Sequence, residues 1–146
     1  MMWDGFEEEW NEEEASGLYV HPIKEKANAI VRLSYALAGN LDEAHSKLYG
    51  DTMLEDAKKI GVFFDQAQSE KDYILKMENA VLVKVHARSL STISSQLSGQ
   101  GSLAKEHEKL LQDAILELRP IYKEWIQSFD PSEATDDGWG IFTIQS

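Results

Sequence analysis

The chain contains no cysteine in its 146 residues. Disulfide bonds, thiol catalysis and thiolate metal sites are therefore excluded, and the absence of cysteine agrees with a reducing cytoplasm. No apolar run approaches the roughly 20 residues that a membrane-spanning helix requires. Residues 1–17 have neither the basic nor the apolar region of a signal peptide. We therefore expect a soluble, cytoplasmic protein with no membrane partner.

Basic residues are in the minority, since 14 Lys and Arg stand against 26 Asp and Glu, for a net charge of −12. The excess lies in residues 1–17, with seven acids, and in residues 130–146, with four, and neither segment has a Lys or Arg. Residues 18–129 hold 15 of the 26 acids and all 14 bases, a net charge of −1. The sequence thus predicts a nearly neutral body between two acidic tails, the first of them flexible, and no nucleic-acid partner.

The first part of the body has helical periodicity and no alternating strand pattern. Apolar residues at spacings of four and three favour one helix from about 22 to 48, and a break at Gly39-Asn40 is the alternative. Gly50-Asp51 then indicates a stop, and Thr52 to Glu55 fits a capping box that begins the next helix.

Capping residues and a turn segment in the second part of the body predict two more helices. Ser69 can cap a helix over about 70–97, and the turn "SGQGS" at 98–102 separates it from a helix that Ser102 caps and that extends to 129. Pro120 lies inside that last helix and predicts a kink. Four helices joined by short turns predict an all-α protein, an antiparallel up-down-up-down four-helix bundle.

The segment "MENAVLVKVHARSL", residues 77–90, mixes charges with the densest apolar stretch. Helical spacing places Lys84 and Arg88 on the solvated side and Asn79 and His86 in the buried stripe. Buried polar groups cost about 1–3 kcal/mol unless they are hydrogen-bonded, so we expect both to have partners on a facing helix. Replacing His86 by leucine should then cost little if its partner can return to water.

Histidines allow one metal hypothesis. A carboxylate-bridged metal pair needs Glu-x-x-His on two helices, and only Asp42-x-x-His45 comes near that pattern. A mononuclear site remains an alternative, because the predicted topology places His45 and His107 at the same level, with Glu43 and Glu106 beside them.

Motifs of enzymes are missing from the sequence. It contains no Gly-rich phosphate loop, no H-E-x-x-H and no G-x-S-x-G. We therefore predict neither catalytic residues nor a cofactor.

The two tails combine acids with large apolar side chains. These side chains either cover the near end of the bundle or bind a protein partner, since buried tryptophan contributes strongly to binding. The candidate partner-binding residues are Trp3, Phe6, Trp10, Trp139, Ile141 and Phe142.

Four sequence features also resemble a family of short, all-helical proteins from Bacteroidetes-like bacteria. They are His21-Pro22, "MENAVLVKVHARSL", "EWIQSFD" and "DDGWGIF". The resemblance covers most of residues 20–142 and implies a small helical domain with acidic ends. It implies no activity, since that family has no assigned function and no catalytic residues to transfer.

These observations favour a non-enzymatic interaction or adaptor module with the tails as contact elements. The protein partner is not identified by the sequence, and a homodimer through an exposed helical face is an alternative arrangement. The alternative function is a metal- or small-ligand-binding bundle.

Overall fold

The computed structural model describes residues 19–141, and this part of the chain contains helices and turns but no strand. We number its α-helices in chain order, and a π-helical turn at Ser46–Gly50 and a 3-10 turn at Pro131–Glu133 complete the elements. The helices are α1 Pro22–Ala38, α2 Glu43–His45, α3 Asp51–Ser69, α4 Tyr73–Gly99 and α5 Lys105–Gln127. The prediction of an all-α protein with four long helices is confirmed.

The prediction of one helix over 22–48 is wrong. Helix α1 ends at Ala38, and the turn that follows brings Asp42 into an N-cap position, where its carboxylate accepts the backbone N–H of His45 at 3.0 Å. A capping carboxylate satisfies an otherwise unpaired N–H and so begins a new helix. This local hydrogen bond decides the boundary, whereas the apolar rhythm continues across it.

The stop predicted at Gly50-Asp51 is also wrong. Gly50 is buried and helical, and the π-helical turn leads directly into α3, so Thr52 to Glu55 is helix interior and not a cap. Leu48, in the π-helical turn, is exposed. A π-turn holds one more residue than an α-helical turn and so rotates the face of the helix. The apolar spacing before Gly50 therefore does not continue in register into α3.

The starts of the last two helices lie a few residues beyond the predicted caps. Asp72, not Ser69, caps α4 by accepting the N–H of Leu75 at 2.9 Å. Helix α5 begins after Ala104, while the hydroxyl of Ser102 donates instead to Asp42. Pro120 lies within α5, as predicted.

The hydrophobic core lies between the four long helices. Helix α3 packs extensively against α4 and α1, and α5 packs against α1 and α4. Apolar side chains of this kind stabilise the fold by about 25 cal/mol for each Å² removed from water. Representative fully buried residues are Ile23, Ile30, Met53, Ile60, Leu90, Leu97 and Leu111.

Aromatic rings close one end of the core. The Phe64 ring lies 5.0 Å from those of His21 and Trp125, and Trp125 also contacts Tyr122 and Phe129. The start of α1, the end of α3 and the end of α5 therefore meet there.

Helices α4 and α5 each expose large apolar residues. Leu75 on α4 and Leu110 on α5 are 41% and 55% exposed. In the first half of α4 the buried stripe includes Ala80, Val83 and Ala87, while Asn79 and His86 beside it are half-buried. Small residues in this stripe allow the neighbouring helices to approach closely.

Candidate functional site

A groove lies on the surface between α4 and α5. Its volume is about 460 Å³, within the size range of pockets for small ligands and side chains. We call it the α4–α5 groove and divide its lining into an apolar floor, three polar residues and a basic rim. The floor consists of Val83, Ala87, Ile115, Leu116 and Leu118.

Side-chain hydrogen bonds hold the two helices together at both ends of the groove. At one end the Tyr122 hydroxyl donates to the backbone carbonyl of Ala80 at 2.7 Å. At the other end the Ser91 hydroxyl donates to Gln112 Oε1 at 2.6 Å, and the Gln112 amide donates back to the Ser91 carbonyl at 2.9 Å. Ala80 and Ser91 lie eleven residues apart on α4, or about 16 Å along the helix. The groove thus has fixed walls.

Among the three polar residues of the groove, Tyr122 has a shifted pKa. Burial raises the pKa of its phenol to about 12, because the phenolate would lose its hydration. The hydroxyl therefore stays protonated at neutral pH and remains a hydrogen-bond donor to Ala80.

Four cations form the basic rim, and no acidic residue among residues 19–141 lines the groove. Lys84 and Arg88 are one helical turn apart on α4, and Arg119 and Lys123 are one turn apart on α5. All four are exposed. Like charges at i and i+4 destabilise a helix by about 0.2–0.5 kcal/mol for each pair, so the arrangement has a cost in stability.

The basic rim also lacks compensating acids. Elsewhere in the described part of the chain, five lysines form ion pairs, for example Lys24 with Asp65 and Lys26 with Glu117. Within residues 19–141 no carboxylate lies within 4.0 Å of the charged groups of the rim. The groove consequently presents uncompensated positive charge above an apolar floor, which suits a ligand that is both anionic and apolar.

The basic rim has a signature in the sequence that helical periodicity does not reveal. Lys84 and Arg88 are exposed, as the helical spacing predicts, whereas the sequence alone identifies no role for Arg119 and Lys123. None of the four has an acid three or four residues away on its own helix. Only the packing of α4 against α5 shows that the two pairs share one groove.

A polar cluster lies on the other side of α4, against α3. His86 Nδ1 lies 2.8 Å from Asp56 Oδ1, and the Ser89 hydroxyl donates to Asp56 Oδ2 at 2.6 Å. Asp56 is 6% exposed, and the His86 ring stacks on Phe63 with centroids 5.5 Å apart. The expected partner of His86 on a facing helix is therefore Asp56.

This cluster differs from a serine-nucleophile site. In such a site the histidine accepts the serine proton, whereas Ser89 donates to the carboxylate that also holds His86. Both oxygens of Asp56 are thus used to join α3 to α4. Asn79, the other predicted internal polar residue, donates to the Leu75 carbonyl of its own helix, so the prediction of a partner on a facing helix is wrong for Asn79.

The candidate metal ligands are engaged in local contacts or lie apart. His45 Nδ1 lies 2.7 Å from Asp42 Oδ2, and its Nε2 lies 3.0 Å from Gln100 Oε1. Glu43 forms an ion pair with Lys47, while Glu106 and His107 lie in the first turn of α5. In the range 19–141, no three His, Asp or Glu side chains are grouped so that they could hold a metal ion.

Two of the candidate partner-binding residues are described, and both are exposed. Trp139 is 81% exposed and Ile141 is 71% exposed, so neither covers the end of the bundle. The other four candidates, Trp3, Phe6, Trp10 and Phe142, lie outside the described residues.

Further findings concern membranes and known proteins. Among the described helices, none is long and apolar enough to span a bilayer. No protein-family model, curated protein or solved structure matches the chain.

Proposed function

We propose that the protein is a non-enzymatic, cytoplasmic interaction module whose α4–α5 groove binds an acidic, aromatic segment of a protein partner. The observation that carries the proposal is the uncompensated basic rim above an apolar floor. Acidic side chains would pair with the rim, and aromatic side chains would cover the floor. The exposed Trp139 and Ile141 provide a second contact element, in keeping with the expectation that the tails take part in binding.

An up-down-up-down bundle is part of this proposal. Lys24, near the start of α1, pairs with Asp65, near the end of α3, while the Asp56–His86 contact joins the middle of α3 to the middle of α4. Ser95, near the end of α4, donates to Glu108, near the start of α5. These contacts support antiparallel neighbours, which is the arrangement that lets the groove extend along both helices.

Nucleic acid is a weaker candidate for the groove. Binding to a nucleic acid relies on many cations along the phosphate backbone, whereas the body of this chain has a net charge of −1. An apolar floor offers little to a phosphate backbone. It offers a favourable surface to aromatic side chains.

The same groove supports a second candidate, a small anionic ligand with an apolar body, such as a fatty acid. Its volume of about 460 Å³ falls within the range of small-ligand sites. The fixed hydrogen bonds at both ends are also compatible with a preformed pocket. This second candidate predicts that a medium-chain carboxylate binds more tightly than an acidic peptide.

The test is NMR titration of the full chain with an unrelated 15-residue peptide that carries Glu residues and three aromatics. We expect shifts at Val83, Ala87 and Leu116, and an affinity near 10⁻⁴ M, typical of a small apolar contact with screened charges. A peptide with alanine in place of its aromatics should bind at least about fivefold more weakly, because the floor is then left uncovered.

A matched pair of variants makes the test specific. Lys84→Glu with Arg88→Glu should weaken peptide binding at least about tenfold, because rim attraction becomes repulsion. Lys71→Glu with Lys105→Glu changes the net charge equally at exposed cations outside the groove and should leave the affinity within about twofold. Equal loss in both variants, or tighter binding of single-stranded DNA than of the peptide, would contradict the proposal.

A further inference from the structure

We infer that residues 1–18 of the same chain bind in the α4–α5 groove. The inference rests on the proposed function and names an occupant for the same site. The described structure supplies the groove, and the sequence outside the described part supplies a segment with matching chemistry. A partner that binds in the groove would then have to displace this segment.

Charge complementarity is the first argument. Residues 1–17 contain seven acids and no base, whereas the groove is lined by four cations and no acid. Carboxylates of the segment can therefore supply the counter-charges that the rim lacks. Because the segment is covalently attached, its carboxylates remain near the rim whatever the protein concentration.

The spacing of the aromatic residues is the second argument. Trp3, Phe6 and Trp10 stand at positions i, i+3 and i+7. In a bound helix this spacing places all three on one face, which is the pattern of an amphipathic helix that binds in an apolar groove. The acids between them would extend toward the rim on both sides of that face.

The length of the segment is the third argument. The described chain begins beside the aromatic end of the core, where the His21 ring lies 5.0 Å from Phe64 and Phe64 lies 5.0 Å from Trp125. Trp125 is in ring contact with Tyr122, which lines the groove. The nine residues from Trp10 to Tyr19 can extend about 30 Å, which is longer than the series of ring contacts that leads from His21 to Tyr122.

The described part of the other acidic segment, residues 130–141, does not line the groove. The backbone N–H of Thr135 donates to Asp72 Oδ1 at 2.7 Å, which holds this segment beside the start of α4. Trp139 and Ile141 beyond it are largely exposed. Residues 1–18 are thus the acidic, aromatic segment of this chain that the groove can accept.

Paramagnetic relaxation measures the contact in the full chain. The protein has no cysteine, so Asn11→Cys provides a unique position for a nitroxide label next to Trp10. We expect strong broadening of the methyl signals of Val83 and Leu116 and none at Leu48, which lies outside the groove. Lys84→Glu with Arg88→Glu should remove the broadening, and Lys71→Glu with Lys105→Glu should retain it.

A mixture of isotope-labelled chain and spin-labelled, isotope-free chain separates two arrangements. Binding within one chain predicts no broadening in the mixture. In the preceding experiment one chain carries both labels. If the mixture shows as much broadening as that sample, a second copy donates the segment, and this would overturn the inference. Absence of selective broadening in every sample would overturn it as well.

Competition distinguishes failure of this inference from failure of the proposed function. A tethered segment at an effective concentration of about 1 mM with an intrinsic Kd of about 100 µM should weaken binding of an added peptide about tenfold. Full chains with Trp3→Ala, Phe6→Ala and Trp10→Ala should therefore bind the acidic, aromatic peptide about tenfold more tightly than the original chain. Equal binding to both would overturn the inference but not the proposed function, and binding to neither would overturn both.

Discussion

The two sides of α4 use charge in opposite ways. Toward α3, His86 and Ser89 both bond to Asp56, so a buried carboxylate and its two neighbours satisfy one another. Toward α5, Lys84 and Arg88 lie one turn apart beside a groove without any acid in its lining. The same helix therefore presents a closed polar cluster on one side and an uncompensated basic rim on the other.

Under the proposed function, the difference separates charge that serves folding from charge that serves binding. A satisfied polar cluster joins two helices, and its loss leaves buried groups unpaired. A rim of like charges costs stability in the isolated protein and gains only when an anionic partner binds. Substitutions on the two sides of α4 should accordingly affect different measurements.

The largest expected effect is on the α3 side. Asp56→Ala leaves His86 and Ser89 without their shared acceptor and should lower the free energy of unfolding by about 2–3 kcal/mol. Urea denaturation followed by circular dichroism measures this change. Asp65→Ala, which removes an exposed ion pair with Lys24, serves as the control and should cost less than about 1 kcal/mol. Equal costs would mean that the Asp56 cluster does not join the helices.

A smaller loss is expected from His86→Leu. The sequence suggested little cost if the partner could return to water, but Asp56 is only 6% exposed and retains just the Ser89 hydroxyl. The free energy of unfolding should fall by about 1 kcal/mol. Combining His86→Leu with Asp56→Ala should cost less than the sum of the single changes, as for any coupled pair. Strict additivity would contradict the coupling.

A gain in stability is expected on the α5 side. Lys84→Glu with Arg119→Glu converts both like-charged pairs into attractive i,i+4 pairs and should raise the free energy of unfolding by about 0.5–1 kcal/mol. The same change should weaken binding of the acidic, aromatic peptide at least about tenfold. Lys84→Arg with Arg119→Lys keeps the charges and should change neither quantity appreciably. A stabilised variant that still binds would show that the rim is not the contact.

The smallest effect should be a pH dependence at a capping carboxylate. The pKa of Asp42 is lowered to about 2, mainly because the His45 backbone N–H donates to it, with further bonds from the His45 ring and Ser102. The folded state thus prefers the ionised form, so this stabilisation is present above the ordinary pKa of 3.8 and is lost as the pH falls through about 2.

Asp42→Asn tests this dependence, since asparagine can cap a helix but does not titrate. The original chain should have the higher Tm at pH 5, and the difference should shrink between pH 4 and pH 2. Thermal denaturation of both proteins over this range measures it. A difference that stays constant with pH would contradict the assigned cap.

Helical content was predictable because it depends on nearest neighbours along the chain. Apolar spacing of three and four residues located the four long helices, and Pro120 was correctly placed inside α5. The boundaries near Asp42, Gly50 and Ala104 were not predictable to the same degree. Asp, Ser and Thr candidates stand close together there, and which of them caps depends on the path of the turn.

Only part of the candidate site could be predicted from the sequence. Lys84 and Arg88 were recognisably exposed, and the acids and aromatics of residues 1–17 were evident from composition. That Arg119 and Lys123 face the same groove depends on the angular setting of α5 against α4. Side-chain volumes in the core fix this setting, and they act between residues distant in sequence.

The sequence by itself determined an all-α chain with a nearly neutral body and acidic ends, because helix periodicity and net charge are local or additive properties. Tertiary structure alone decided that Asp56 satisfies His86, and that two basic pairs from different helices form one rim. Both results require groups separated by about 30 residues or more to meet in space. Such meetings are set by how whole helices pack, since no short-range pattern encodes the rotation of one helix against another.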